Sequence, residues 1–139
     1  MPKRGRLLCC VNGSAHSARA MELACRLAPA LGLGLTFAAV NQLRPASGFP
    51  PIRSWPPEEL RQILDTAIRY ARSHGVRDVE AEMMEAPDIA ASIIDYALTH
   101  GIEHVVVGTG NPPFIGRLLI GSVSDAIVSS AHCSVTVAR

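Results

Sequence analysis

The sequence predicts a doubly wound α/β fold, in which helices cover both faces of a parallel sheet. Short apolar runs typical of buried strands alternate along the chain with stretches whose apolar residues recur every three or four positions. Glycine or proline separates most of these runs. Strands that alternate with helices require right-handed crossovers, so the strands lie parallel and the helices pack on both sides of them.

The first predicted elements are a strand, a helix and a second strand. Residues 6–11 form an apolar run that leads through a turn to Ser14, a residue type that caps helices. From Ser14 to about Leu31 apolar residues recur at helical spacing, and Gly32 follows. The run 33–40 fits a strand that is buried on both faces.

The segment 41–57 is predicted to be a long, irregular surface connection. It holds five prolines together with Gly48, which argue against regular structure. Because long ordered loops often have a function, Phe49 and Trp55 are candidates for a lid or a partner surface. A variable surface insertion is the alternative.

The alternation of helices and strands continues to the end of the chain. The remaining predicted elements are a helix over 57–74, an edge strand over 76–85, a helix over 88–101, a strand over 104–108, a helix over 122–131 and a strand over 133–138. In sheets of this kind ligands bind beyond the carboxyl ends of the strands. The loops after Val11, Val40 and Val107 are therefore expected to form any binding site.

Composition and charge argue against several classes of function. The 139 residues are enough for one domain, 1–139, with a core of its own. With 13 basic and 12 acidic residues the net charge is +1, which gives no long-range field to attract nucleic acid or an anionic membrane. The apolar run after the basic start is too short for a signal peptide or a membrane span, so a cytoplasmic location is expected.

The cysteines and histidines form no recognisable metal or redox motif. The four cysteines are Cys9, Cys10, Cys25 and Cys133. They lack the two-residue spacing of zinc or disulfide-exchange sites, so buried, reduced thiols are expected. Cys9 and Cys10 are adjacent, so on a strand their side chains would point to opposite faces. The five histidines lie on separate elements without metal-binding spacing. His16 is a candidate for contacting a ligand, with a water-facing position as the alternative.

A glycine-rich segment follows the strand over 104–108. It begins at Gly108, contains Gly110 and Gly116, and ends at Gly121, where a helix is predicted to start. Glycine allows the backbone to approach a ligand closely, and free amides at a helix start favour a phosphate. The Gly-Lys-Ser/Thr end of a Walker loop is absent, which argues against a lysine-assisted NTPase. The segment predicts an anion cradle, with a purely structural loop as the alternative.

The order of elements around this segment resembles that of the universal stress protein family. Nucleotide-binding members carry Gly, two residues, Gly, nine residues, and then Gly-Ser or Gly-Thr after the fourth strand. Here Gly108 and Gly121-Ser122 have that separation, and Asn111 replaces the middle glycine. The resemblance extends from the turn at 11–14 to the closing strand, and it implies a five-stranded, Rossmann-like parallel sheet of the adenine nucleotide alpha hydrolase type.

The resemblance also implies a site for an adenine nucleotide, ATP or AMP, with or without Mg²⁺. The implied binding residues are Val11, Asn12, Val40, Gly108, Thr109, Gly110, Asn111, Gly121, Ser122 and Val123. The first three would line the adenine and ribose, the next four would form one side of a phosphate loop, and the last three would form the other side. Asn12 replaces the acid that usually ends the first strand. Arg117, the cation inside the loop, is a further candidate for the outer phosphates, with a solvated surface arginine as the alternative.

The function implied by the resemblance is a nucleotide-binding regulatory module that acts in stress adaptation. It would form a homodimer through the last strand, 134–137, present its state to a partner protein, and have slow chemistry or none. The alternative is a dimeric interaction module that has lost nucleotide binding, which Asn12 and Asn111 favour. A phosphatase or phosphotransferase would need a positioned base and a metal-holding carboxylate, and the sequence offers no evident candidate for either.

Overall fold

A computed structural model describes residues 4–109 and 121–139 of the chain. These residues form β1 (Arg6–Cys10), α1 (Ala15–Ala30), β2 (Gly34–Ala46), β3 (Phe49–Arg53), α2 (Pro57–Ser73), β4 (Val79–Ala86), α3 (Ile89–Thr99), β5 (Ile102–Gly108), α4 (Ser122–Ser130) and β6 (Ser134–Ala138). Over the same ranges, no helix combines the length and apolar character needed to cross a membrane.

The six strands form one sheet. β4, β2, β1, β5 and β6 lie side by side in that order, and every neighbouring pair among them is parallel. β3 pairs antiparallel with the last residues of β2, next to the end of β4. The predicted parallel sheet is confirmed, with one antiparallel strand added.

The sheet separates two hydrophobic cores. One core lies on the side of α1 and α2 and includes Cys9 and Leu64. The other lies on the side of α3 and α4 and includes Leu8 and Ile127, with Cys10 packed against it. Helices therefore cover both faces, as predicted, and the two adjacent cysteines point to opposite faces, as predicted from strand geometry.

The prediction of an irregular connection over 41–57 is wrong. β2 continues to Ala46, turns through Gly48 at a φ of 73°, and pairs with β3. Proline is tolerated in β3 because this strand lies at the edge of the sheet, and Pro50 and Pro51 fall where the register between the two strands shifts. The sheet consequently has six strands and not the five that the family resemblance implies.

Two helices end in the same way, with a tyrosine and a histidine four residues apart. The rings of Tyr70 and His74 stack with centroids 4.0 Å apart at the end of α2, and those of Tyr96 and His100 stack at 3.8 Å at the end of α3. Each histidine Nδ1 also lies close to the backbone carbonyl oxygen of its tyrosine, at 2.8 Å and 3.0 Å. Each of these carbonyl oxygens also accepts the backbone N–H of the same histidine, at 3.1 Å and 3.0 Å, so the ring contact adds to a bond that closes the last turn.

Candidate functional site

A cavity of about 300 Å³ lies at the carboxyl edge of the parallel strands. Val11, Val40 and Gly108 meet in its wall: Val11 follows β1, Gly108 ends β5, and Val40 lies within β2, beyond the part that pairs with β1. A site was expected in the loops after Val11, Val40 and Val107, but β2 continues past Val40, so no loop begins there. A cavity of this volume is at the lower end of the range for small-molecule sites, which is about 300–1,000 Å³. The cavity also receives residues from α1, α3 and α4.

The structure brings most of the predicted site residues to this one cavity. Those in its lining are Val11, Asn12, Val40, Gly108, Gly121, Ser122 and Val123. Thr109 is buried and is not part of the lining. Three further candidates, Gly110, Asn111 and Arg117, lie outside the described residues.

Asn12 shapes the turn between β1 and α1. Its side-chain oxygen accepts a hydrogen bond from the backbone N–H of Ser14 at 3.0 Å, and its own backbone N–H donates to Ser17 Oγ at 3.2 Å. Ser14 caps α1 by accepting from the Ser17 N–H at 3.2 Å. The side-chain oxygen of Asn12 is therefore used within the turn, whereas its side-chain N–H groups can serve a ligand.

The start of α4 borders the opposite side of the cavity. Gly121 is the N-cap and supplies no side-chain cap, so the N–H groups of Ser122 and Val123 in the first turn have no such partner. The N–H of Gly121 itself donates to Thr109 O at 2.5 Å, so it is not free for a ligand. Ser124 Oγ donates to Gly108 O at 2.5 Å and joins α4 to the end of β5.

Trp55 forms part of the wall at the β2 end of the cavity. Asn41, which is only 1% exposed, donates from Nδ2 to Trp55 O at 2.7 Å and accepts from Trp55 N at 3.1 Å. Sequence reasoning left Asn41 in a loop, although a single amide directly after an apolar strand is a signal of a buried hydrogen-bonding role. The neighbouring wall is apolar and consists of Ala38, Val40, Leu60, Ile89 and Ile93.

His16 lies in the first turn of α1 and is half-buried in the cavity wall. Its Nδ1 is 3.0 Å from Thr109 Oγ1. A Cβ on Gly108 would lie 2.5 Å from the backbone oxygen of His16, so α1 approaches the end of β5 more closely than any residue but glycine allows. His16 therefore lines the cavity and is neither fully buried nor fully exposed to water.

The described lining offers groups for binding but few for catalysis. It contains no carboxylate, and its titratable side chains are Cys10 and His16. Burial raises the pKa of Cys10 to about 12, which keeps this thiol protonated and unreactive. Within residues 4–109 and 121–139, no cluster of three or more His, Cys, Asp or Glu side chains could hold a metal ion.

Several solved structures with a similar fold are those of universal stress proteins. A universal stress protein in complex with cAMP has a TM-score of 0.74 and 21% identity, and the match covers 98% of this chain and 97% of that one. The universal stress protein of Archaeoglobus fulgidus in complex with dAMP has a TM-score of 0.76 and 17% identity, over 97% of this chain and 98% of that one. At these identities the likeness shows a common fold.

The sequence comparisons identify the same family. A universal stress protein of Methanocaldococcus jannaschii is 28% identical over 134 residues, which cover 92% of this chain and 78% of the relative. The model of the universal stress protein family matches residues 3–139. The chain therefore belongs to the universal stress protein family.

Proposed function

We propose that this protein binds an adenine nucleotide, AMP or ATP, in the cavity at the carboxyl edge of the sheet. The main support is that one cavity joins an apolar, aromatic wall beside Val40 of β2 to the start of α4, which has no side-chain cap and lies beside the end of β5. Two relatives with the same fold are described as complexes with cAMP and dAMP, and both ligands are adenine nucleotides.

The two ends of the cavity suit the two ends of a nucleotide. The base is proposed to lie against Trp55 and Val40, where apolar and aromatic surfaces favour a flat ring. The phosphate is proposed to lie at the start of α4, where the N–H groups of Ser122 and Val123 and the positive end of the helix dipole favour an anion. Asn12, between these ends, is proposed to contact the ribose.

Trp55 provides a direct measurement of binding because it is the single tryptophan of the chain. We expect AMP and ATP to change its fluorescence saturably, since a base stacked on the indole alters the emission. Calorimetry of the same titrations should give matching affinities, and mass spectrometry of the denatured protein should identify any nucleotide that copurifies. The absence of a saturable signal in both titrations would refute the proposal.

The variant Gly121→Asp tests where the phosphate lies. It places a negative side chain at the start of α4, so AMP affinity should be lost while the circular dichroism spectrum stays unchanged. Gly48→Asp controls for the added charge, because Gly48 lies in the hairpin turn and outside the cavity lining; its φ of 73° means that this variant costs some backbone strain without changing the site. Unchanged AMP affinity in Gly121→Asp would place the phosphate elsewhere.

We also propose that the protein acts in stress adaptation as a homodimer through β6. In the described part of the chain β6 pairs with β5 alone, so its outer edge has no strand partner there. Unpaired edges with apolar residues such as Val135 and Val137 favour pairing with a second copy. Sedimentation equilibrium over a range of protein concentrations should show a dimer, and a monomer at all concentrations would contradict this assembly.

The second candidate is a dimeric interaction module without nucleotide. Asn12 favours it, because its side-chain oxygen is already used by the turn. Asp125 favours it as well, because an acid in the first turn of α4 weakens the attraction for a phosphate. A dimer in sedimentation together with no Trp55 response to any adenine nucleotide would select this candidate.

A further inference from the structure

We propose that His16 donates a hydrogen bond to the ligand's phosphate and that Thr109 positions the His16 ring for this contact. The inference rests on the proposed binding of an adenine nucleotide, and it assigns different roles to two residues. His16 becomes a binding residue. Thr109, which the family resemblance placed in the phosphate loop, becomes a support behind the cavity wall.

Thr109 is held in place by burial and by two backbone hydrogen bonds. It is 7% exposed, its backbone N–H donates to Ala138 O at 3.1 Å, and its backbone oxygen accepts from Gly121 N at 2.5 Å. The residue is thereby fixed both to the end of β6 and to the start of α4. Its hydroxyl, 3.0 Å from His16 Nδ1, can hold the imidazole in one orientation.

The position of His16 along the cavity points to the phosphate. The first turn of α1 rests on Gly108, and Ser124 of α4 bonds to the Gly108 carbonyl oxygen, so both helix starts flank the same strand end. The proposed base site lies beside Val40 of β2, a strand that is separated from β5 by β1. The imidazole is therefore adjacent to the end of the cavity where the phosphate is proposed to bind.

The chemistry of the ring fits this position. When the Thr109 hydroxyl donates to Nδ1, the ring proton must reside on Nε2, and Nε2–H is then a donor. In this neutral form the ring lines the cavity with one N–H donor, at Nε2. A phosphate oxygen is the ligand atom that such a donor favours most.

Adenosine and AMP together separate this role from general binding, because only AMP carries the phosphate. In His16→Ala we expect AMP affinity to fall about tenfold, the loss of one hydrogen bond to a charged group, while adenosine affinity stays unchanged. His16→Gln, which keeps polarity and size, guards against a folding defect. His132→Ala is the matched control, since His132 is exposed and outside the lining.

Thr109 is tested by removing and then restoring its hydroxyl. Thr109→Val should weaken AMP binding without affecting adenosine, and Thr109→Ser should recover it. The ¹⁵N spectrum of the His16 ring should show the Nε2–H tautomer in the wild type, a signal that AMP moves and adenosine does not, and a mixture of tautomers in Thr109→Val. A purely structural bond would leave this signal unmoved by AMP.

These measurements distinguish failure of the nucleotide proposal from failure of the role proposed for His16. If the wild type binds neither adenosine nor AMP, the nucleotide proposal falls and this inference falls with it. If the wild type binds both, but His16→Ala weakens both equally or neither, the nucleotide proposal stands and the role of His16 is refuted.

Discussion

Asn41 holds Trp55 at the cavity through two hydrogen bonds to its backbone. The amide lies at the end of the apolar part of β2 and is almost wholly buried. A buried amide that satisfies one donor and one acceptor of another segment fixes that segment firmly, because both groups would otherwise be desolvated without a partner. The placement of the aromatic wall thus depends on one side chain outside the cavity.

We predict that Asn41→Leu lowers the free energy of unfolding by about 2 kcal/mol, because it leaves both backbone groups of Trp55 unpaired. Urea unfolding measures this loss, and the emission of Trp55 should shift because the indole moves. Gln42→Ala is the control, since the bond from Gln42 to Pro87 O is exposed and its loss should cost little. Equal stability of Asn41→Leu and the wild type would show that the two hydrogen bonds from Asn41 to Trp55 do not stabilise the fold.

The site could be predicted from the sequence only where it follows from strand ends. Val11 and Val40 were found because each ends or follows an apolar run, and Gly121 because a helix start follows a glycine-rich stretch. The hydrogen bond between His16 and Thr109 joins residues that are 93 positions apart, and no local sequence pattern predicts it. Contacts of that kind depend on how α1 packs on β5.

At the scale of elements, the approach of α1 to β5 depends on Gly108. We predict that Gly108→Ala destabilises the protein by about 1–3 kcal/mol, because the added methyl group would overlap the backbone of α1 at His16. The same variant should weaken ligand binding, since it displaces the first turn of α1.

Gly32→Ala provides the comparison for this variant. Gly32 has a φ of 70° but no atom near an added Cβ, so alanine there costs only about 1 kcal/mol of backbone strain and leaves binding unchanged. Thermal unfolding and AMP titration of both variants separate the two effects. A Gly108→Ala variant with wild-type affinity would contradict the proposed packing.

The repeated helix ends make a second prediction about elements. His74→Ala and His100→Ala should each lower the free energy of unfolding by about 1 kcal/mol, because each removes a stacked ring and a hydrogen bond to a terminal carbonyl. Tyr70→Phe and Tyr96→Phe should be nearly neutral, since the tyrosines contribute their rings and backbone oxygens. Chemical unfolding tests this, and a larger loss in the Phe variants would contradict it.

The start of a helix could be predicted from the sequence where a capping residue or a proline marked it. The Ser14 cap and the Pro57 start were located correctly, because both signals act within one turn of the helix. The hairpin of β2 and β3 was missed because the rule that excludes proline applies to central strands, whereas β3 lies at an edge. Sequence alone does not say which strand will be at an edge.

At the scale of the molecule, the strand order locates the cavity. From β1 the chain first builds outward through β2 to β4, and it then returns to add β5 and β6 on the other side of β1. Ligand crevices form where such an order reverses, here between β1 and β5. The alternation of strands and helices predicted the class of fold, but it could not predict this order, because the same alternation is compatible with several.

The stability of the whole molecule should depend on His104. Its Nε2 lies 2.7 Å from Thr136 Oγ1, and burial lowers the pKa of His104 from its ordinary value of 6.5. As the pH falls below that value, the unfolded chain takes up a proton more readily than the folded one, so the free energy of unfolding decreases. Above that pH, His104 is neutral in both the folded and the unfolded protein, so it no longer makes the free energy of unfolding depend on pH.

We therefore predict that His104→Gln flattens part of the pH dependence of stability. The drop in the urea midpoint between about pH 7.5 and about pH 5.5 should be smaller in the variant than in the wild type, because glutamine does not titrate in this range. The other histidines contribute equally to both proteins. An identical drop would mean that His104 is protonated as easily in the folded protein as in the unfolded one.

The bond from Thr109 N to Ala138 O ties the end of β6 to the residue that supports His16. Under the proposed assembly, β6 also carries the contact between two copies. Thermodynamic linkage then requires reciprocity: if association of two copies changes AMP affinity, AMP must change the association constant by the same factor. In a cell, the nucleotide pool would then set the fraction of paired molecules, and the abundance of the protein would set how much nucleotide it sequesters.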